Sequence, residues 1–314
     1  MWVSRSRWII CEFLHRSYNR CTHIDSKLSQ AIRADTVCIR DALPTLQASI
    51  VAIEDTQNLQ QHHAIMEWLS PTDFPSQQHD IISRRQEGTG QWFLNSPEFK
   101  RWIQGSDKTL FCPGIPGAGK TMMAAITIDH LCRSARSNDV GVAYLFCNYK
   151  AQADQSVVSM LAALLRQLVQ SGRPDNVATV TTIYEHCLKG RGRPSLDDVF
   201  RTLQSTCANY AVVYVVVDAL DECADTDGAR SRLIDKLREL QARFVEVRLM
   251  CTSRFTPEIM QKFCSDSRLE VRAREEDVKC FVADQIPRLP NCIRRDNELR
   301  CAVQSKIVEA VDGM

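Results

Sequence analysis

Pro113-Gly114-Ile115-Pro116-Gly117-Ala118-Gly119-Lys120-Thr121-Met122 is the stretch on which the reading of the whole chain turns. From Gly114 to Thr121 it fits G-x-x-x-x-G-K-[ST], and it stands between the short apolar run Leu110-Phe111-Cys112 and a helix-like segment from about Lys120 to Arg136. Strand, phosphate loop and helix thus follow in the order that the motif requires. Gly114, Gly117 and Gly119 let the backbone turn tightly and bring N–H groups onto phosphates. Lys120 supplies a point charge for the β- and γ-phosphates, Thr121 a hydroxyl for Mg²⁺, and the helix that follows points its positive end at the anion. The candidate nucleotide-binding set is therefore Gly114, Ile115, Pro116, Gly117, Ala118, Gly119, Lys120, Thr121 and Met122.

About a hundred residues on, Val212-Val213-Tyr214-Val215-Val216-Val217 is a continuous β-branched run with no polar face, as a central parallel strand covered on both sides requires. It ends in Asp218-Ala219-Leu220-Asp221-Glu222. A carboxylate at the C-terminal tip of such a strand lies beside the phosphate loop, so Asp218 joins Thr121 as a candidate Mg²⁺ ligand. Glu222, with Asp221 beside it, is placed to orient or activate a water. A third strand, Val247-Arg248-Leu249-Met250-Cys251, delivers Thr252-Ser253-Arg254, where Arg254 is a candidate reporter of the γ-phosphate. The candidate catalytic residues are Glu222, Asp221 and Arg254.

The three motifs together resemble the NACHT group of signal-transducing P-loop NTPases, within the STAND class, in the form common in large fungal proteins. The likeness covers roughly Trp68 to Met314, with Ala219 as the small residue after the metal aspartate and the acidic pair Asp221-Glu222 beyond it. It includes Trp68-Leu69-Ser70-Pro71 through Arg84-Arg85-Gln86-Glu87-Gly88-Thr89-Gly90-Gln91-Trp92, which precedes the nucleotide domain in such proteins. The resemblance implies a conformational switch driven by ATP or GTP with Mg²⁺, in which ADP holds the resting form and the triphosphate form self-assembles. In those proteins a winged-helix unit closes over the nucleotide and a repeat array follows. Neither has a counterpart in this sequence, which implies a truncated product or a bare nucleotide module, quick exchange of ADP, and exposed apolar surface on the small helical region. The alternative to a slow NTPase switch is a nucleotide-binding interaction scaffold without turnover. ATP and GTP are not told apart by any residue code; Arg84 and Arg85 are candidates for the base edge, with an ordinary surface pair as the alternative.

Composition sets the outer bounds. The chain has 314 residues, 44% hydrophobic and 25% charged, enough for one large α/β domain and a smaller piece. With 39 basic and 38 acidic side chains the net charge is +1, so no electrostatic footprint points to nucleic acid as a partner. The run Lys189-Gly190-Arg191-Gly192-Arg193-Pro194 reads as a solvated loop. Fourteen cysteines are scattered singly with no C-x-x-C pair, and Cys112, Cys147 and Cys251 fall inside expected buried strands, so the expected state is reduced thiols in a cytoplasmic protein. The apolar start Trp8-Ile9-Ile10-Cys11 is cut short by Glu12 and His15, too early for a signal or membrane segment.

Before the motifs, Ile32, Ile39, Leu43, Leu46, Ile50 and Ile53 recur at three- and four-residue steps, a helical stripe that Pro44 should break or kink into two arms. A helical hairpin is the favoured reading; the other is a coiled-coil-like segment for self-association or protein partners. The expected organisation is a helical N-terminal region over 1–69, a linker and pre-domain helix over 70–106, the nucleotide-binding domain over 107–273 and the start of a small helical domain over 274–314. The expected fold class is α/β, a P-loop NTPase with a parallel, roughly five-stranded, doubly wound sheet. Further strands are expected at Gly141–Cys147 and near Leu269–Val271. Helices are expected at Ser156–Val169, Asn176–Leu188, Ser195–Cys207 with an Asp198 capping box, Pro257–Phe263, Glu275–Ile286 and Leu299–Val311.

Overall fold

The computed structural model describes residues 2–135, 139–170, 174–190, 192–223, 225, 228–244, 246–285 and 297–312. The expected helix ends at Arg136 and Ile286, and Arg191 of the basic run, lie outside them. The chain forms two compact units, Met1–His63 and Ala64–Met314.

The first unit consists of helix. α1 runs from Trp2 to Leu69 without interruption, and Pro44 lies inside it. The break into two arms at Pro44 is therefore overturned, and with it the hairpin. A proline removes one intrahelical hydrogen bond, yet Arg40, Leu43, Pro44 and Thr45 are all exposed, so water can satisfy the carbonyl left over. Several apolar side chains along this stretch face solvent, among them Ile24, Leu43, Ile50 and Ile53.

The second unit is built on a parallel five-stranded sheet: β1 (Thr109–Pro113), β2 (Val140–Phe146), β3 (Val212–Asp218), β4 (Val247–Ser253) and β5 (Ser267–Arg268), in the order β2-β3-β4-β1-β5. This is the expected fold class. The β-branched run of β3 occupies the interior of the sheet, with Val217 paired to Leu145 on one side and Cys251 on the other. Its last six residues are all buried, which explains the absence of a polar face. β5 begins two residues before the expected position, but the ladder continues past it: Leu269 N–H donates to the Phe111 carbonyl and Val271 N–H to that of Pro113. The expected segment thus continues the pairing with β1, while the regular strand is only the two residues before it.

The covering helices are α2 (Phe74–Ser83), α3 (Gln91–Asn95), α4 (Pro97–Gln104), α5 (Lys120–Ser134), α6 (Val157–Gln170), α7 (Pro174–Gly190), α8 (Leu196–Cys207), α9 (Ala229–Arg243), α10 (Pro257–Lys262), α11 (Glu275–Gln285) and α12 (Asn297–Asp312). Period-two alternation along β2 separates the two faces. Phe146 meets Phe74 of α2, with ring centroids 6.4 Å apart, whereas Gly141 lies against Leu168 of α6. α2 packs in turn on α5, where the Gln78 amide donates to the Ala125 carbonyl at 2.8 Å. Ile65 and Met66, from the last turns of α1, are buried in this core.

α8 begins at the expected capping box: Ser195 Oγ accepts from Asp198 N–H, and the Asp198 carboxylate accepts from Ser195 N–H. Two otherwise orphaned donors are satisfied, and α8 carries a buried face of Val199, Phe200 and Leu203. Ser195→Ala is expected to lower the stability of the second unit by about 1 kcal/mol, read as a shift of the denaturant midpoint at unchanged slope.

Candidate nucleotide-binding site

The loop between β1 and α5 is shaped by crowding at one end and open space at the other. Gly114 N–H donates to the Ser253 carbonyl at 3.0 Å, and a Cβ on Gly114 would stand 2.4 Å from the backbone oxygen of Val271. Only glycine fits between the tips of β4 and the chain leaving β5. Gly117 and Gly119 have φ of 82° and 89°, with nothing near where a side chain would project. Gly119 is the N-cap of α5 and offers no capping side chain, so the first N–H groups of α5 face outward. Lys120 Nζ donates to the carbonyls of Gly114 and Ile115 at 2.7 and 2.8 Å, and burial lowers its pKa. Ile115, Pro116 and Ala118 complete the loop, and Met122 follows in the first turn of α5.

At the tip of β3, Asp218 is 2% exposed. Its Oδ1 accepts a 2.6 Å hydrogen bond from Thr252 Oγ1, and its carboxylate also hydrogen-bonds the Thr121 side chain. Burial raises the Asp218 pKa above the usual carboxylate value, against these hydrogen bonds and the Lys120 charge. Thr252 is the residue here that sequence reasoning passed over in favour of Arg254. Its hydroxyl takes the Ala219 N–H at 2.9 Å while donating to Asp218, and so ties β3 to β4. Ala219 has φ of 53°, the one positive value at a non-glycine position among the described residues. That left-handed step disfavours a bulky side chain and turns the chain into the short 3-10 segment Leu220–Glu222.

Arg254 and the acidic pair come together. Arg254 N–H donates to Asp221 Oδ1 at 2.9 Å, its Nε stands 3.2 Å from Asp221 Oδ2, and its Nη2 reaches Glu222 Oε1 at 3.3 Å. Glu222 Oε2 accepts from Tyr149 N–H at 3.4 Å.

Two cavities flank the loop. One, of about 530 Å³, runs from Gly117, Ala118 and Gly119 between the 84–92 segment and helices α11 and α12. Its walls include Trp92, Met122, Val278 and Phe281. The other, of about 430 Å³, holds Thr121, Asp218 and Glu222 with Asn148 and Tyr149. The wall of the first is fixed by Asp277, whose carboxylate accepts from Gly90 N–H at 3.0 Å and from the Trp92 indole at 3.1 Å, while the Arg274 guanidinium lies 4.8 Å from the Trp92 ring. Nothing in the sequence signals that contact, because 187 residues separate Gly90 from Asp277. Of the two arginines proposed for the base edge, Arg85 is turned away: its Nε and Nη2 both bond the Thr89 carbonyl.

A family model described as nephrocystin 3, N-terminal, matches residues 88–254, which is just over half of the chain and contains the loop, Asp218 and Arg254. The chain belongs to the nephrocystin 3 N-terminal family. The vegetative incompatibility protein HET-E-1 of Podospora anserina is 26% identical over 221 residues, covering 65% of this chain and 16% of that protein. The match to a relative so much longer leaves most of HET-E-1 without a counterpart here. Among solved structures, this member of the nephrocystin 3 N-terminal family is similar to Cdc6p of Pyrobaculum aerophilum, at 11% identity and a TM-score of 0.43 over 70% of this chain and 52% of that one. It is also similar to the Aeropyrum pernix ORC1 protein, at 13% identity and a TM-score of 0.41 over 66% and 55%. The NACHT-type resemblance read from the motifs therefore holds, and the second unit is a P-loop NTPase domain of the nucleotide-binding kind.

The raised pKa of Asp218 sets a sign. A carboxyl whose folded pKa lies above its unfolded value favours folding as pH falls and costs stability once ionised in both states. Asp218→Asn removes that cost and keeps an acceptor for Thr252. In nucleotide-free protein the variant is expected to melt at or above the wild-type temperature at pH 7–8, with its advantage shrinking as pH falls through the carboxylate range; thermal scans across pH check this.

Proposed function

We propose that the chain binds ATP or GTP with Mg²⁺ at the β1–α5 loop, hydrolyses it slowly, and acts as a signal-transduction switch of the NACHT type. The observation that carries this reading is the meeting of Lys120, Thr121 and the buried Asp218 carboxylate at one junction between two cavities. One cavity is apolar enough for a base, and the other carries the carboxylates.

The metal fits the residues present. Thr121 and Asp218 offer hard oxygen donors, and a buried carboxylate whose charge is opposed by desolvation is relieved by a cation. Mg²⁺ takes much of its shell from phosphate and water, so two protein donors suffice. When bound, Mg²⁺ neutralises charge developing on the phosphates. In this reading the loop from Gly114 to Met122 cradles the phosphates with its N–H groups, and Lys120 leaves the carbonyls of Gly114 and Ile115 for them. Glu222 orients the attacking water, Asp221 positions Arg254, and Arg254 answers to the γ-phosphate.

A second reading, a nucleotide-binding scaffold without turnover, is favoured by one observation. Glu222 Oε1 accepts from Arg254 and Oε2 from Tyr149 N–H, and donors on both oxygens make the carboxylate a weaker base toward water. Protein partners or a second copy acting through the N-terminal helix fit either reading. No helix among the described residues is long and apolar enough to cross a membrane.

Lys120→Ala is expected to abolish nucleotide-dependent stabilisation, which for a binder amounts to about 2.7 kcal/mol at a hundredfold excess over Kd, while leaving the unliganded melting temperature close to wild type. Glu222→Gln is expected to keep binding and to lower hydrolysis about a hundredfold or more. Melting curves with ATP, GTP and ADP, alongside multiple-turnover phosphate release, separate the two readings. Binding without turnover in wild type selects the scaffold, and tight binding by Lys120→Ala rejects the site.

A further inference from the structure

We propose that Arg84, supplied by the end of α2 outside the phosphate loop, is a phosphate-binding residue of the site and contacts the nucleotide's polyphosphate where it passes from one cavity to the other. The inference rests on the nucleotide reading above and deepens it.

Three observations lead to Arg84. It lines both cavities, and among the described lining residues it alone is shared by them. One cavity opens onto Gly117–Gly119 and the other onto Thr121 and Asp218, so a ligand with an apolar ring in the first and its terminal phosphate in the second passes Arg84. The other guanidinium groups around the first cavity are committed. Arg272 pairs with Glu270 at 2.8 Å, Arg274 lies over Trp92, and neighbouring Arg85 is bound to Thr89. Among the described residues nothing pairs with the Arg84 guanidinium, which is exposed although Asp80, one turn back, lines the same second cavity.

Its position is held rather than trailing. Arg84 is the C-cap of α2, with its N–H bonded to the carbonyls of Ile81 and Ile82. α2 itself is fixed to α5, the helix that the phosphate loop opens, through Gln78 and the Ala125 carbonyl. The phosphates and Arg84 are therefore referenced to one rigid pair of helices. From that anchored backbone, a guanidinium free of other partners can form charge-assisted hydrogen bonds with phosphate oxygens. Lys120 answers the phosphates from within the loop, and Arg84 adds a second positive charge from outside it.

The test compares wild type, Arg84→Ala, Arg84→Lys, Arg85→Ala and Lys120→Ala by calorimetry with ADP, a non-hydrolysable triphosphate, and the matching bare nucleoside as competitor. Arg84→Ala is expected to weaken both nucleotides about tenfold or more, Arg84→Lys to recover part of that loss, and Arg85→Ala to bind as wild type does. The nucleoside should compete equally well in wild type and Arg84→Ala, and the exposed position should leave the ligand-free melting temperature unchanged. Nucleotide binding by Arg84→Ala within threefold of wild type, with Lys120→Ala inactive, overturns the inference and leaves the nucleotide site standing. An equal loss for nucleoside and nucleotides puts Arg84 on the base and also overturns it. Failure of wild type to bind any nucleotide rejects the underlying site instead.

Discussion

The hydroxyl of Thr252 joins the tips of β3 and β4 at the functional end of the sheet. It donates to the Asp218 carboxylate and accepts the Ala219 N–H, and both of its partners are unfavourable without it. Asp218 is a carboxylate inside the protein, where an unpaired charge is costly. Ala219 is a left-handed residue without the exemption glycine enjoys, a conformation that persists only where its surroundings over-determine it. The turn that carries Asp221 and Glu222 starts from that residue, and Arg254, two positions past Thr252 on the same strand exit, closes onto the turn. The carboxylates, the arginine and the end of β3 are thus one assembly, and a substitution at Thr252 would reach all of it.

How far this was legible in the sequence depends on the reach of the interactions involved. The phosphate loop, the strand ending in Asp218 and the Ser195 cap are local: each is set by residues within a few positions, and each could be read from spacing. The parallel order of the strands follows from alternation of apolar runs with helical segments, and five strands were expected. Pro44 does not break α1 although it removes one hydrogen bond, because the residues around it are exposed and water can reach the carbonyl left over. β5 was placed late because Leu269 and Val271, the apolar residues of the segment, continue the ladder past the two residues of regular strand.

The wall of the apolar cavity was not legible, for a physical reason. Asp277 meets Gly90 and Trp92 only after the whole sheet has been laid down between them, and a carboxylate at the start of a helix reads in isolation as complementing the helix dipole. The arginine pair shows the same limit. Arg84 and Arg85 are neighbours in sequence with equal chemistry, and only the folded turn separates the one bound to the Thr89 carbonyl from the one beside both cavities.

That turn joins the two scales. Arg85 and the Thr89 hydroxyl knit residues 85–89 into a closed loop, Gly90 begins α3 with a left-handed φ of 76°, and the Asp277 carboxylate draws its N–H toward α11. A Cβ on Gly90 would stand 2.5 Å from Ile126 Cδ1 in α5, so a side chain there would displace that methyl group as well as strain the left-handed backbone. The segment before the sheet and the helix after it are therefore not appendages to the nucleotide site. They build the wall opposite the phosphate loop, and a displacement of α11 that broke the Asp277 contacts would remove the fixed position of Trp92 and change the shape of the cavity without moving the loop itself.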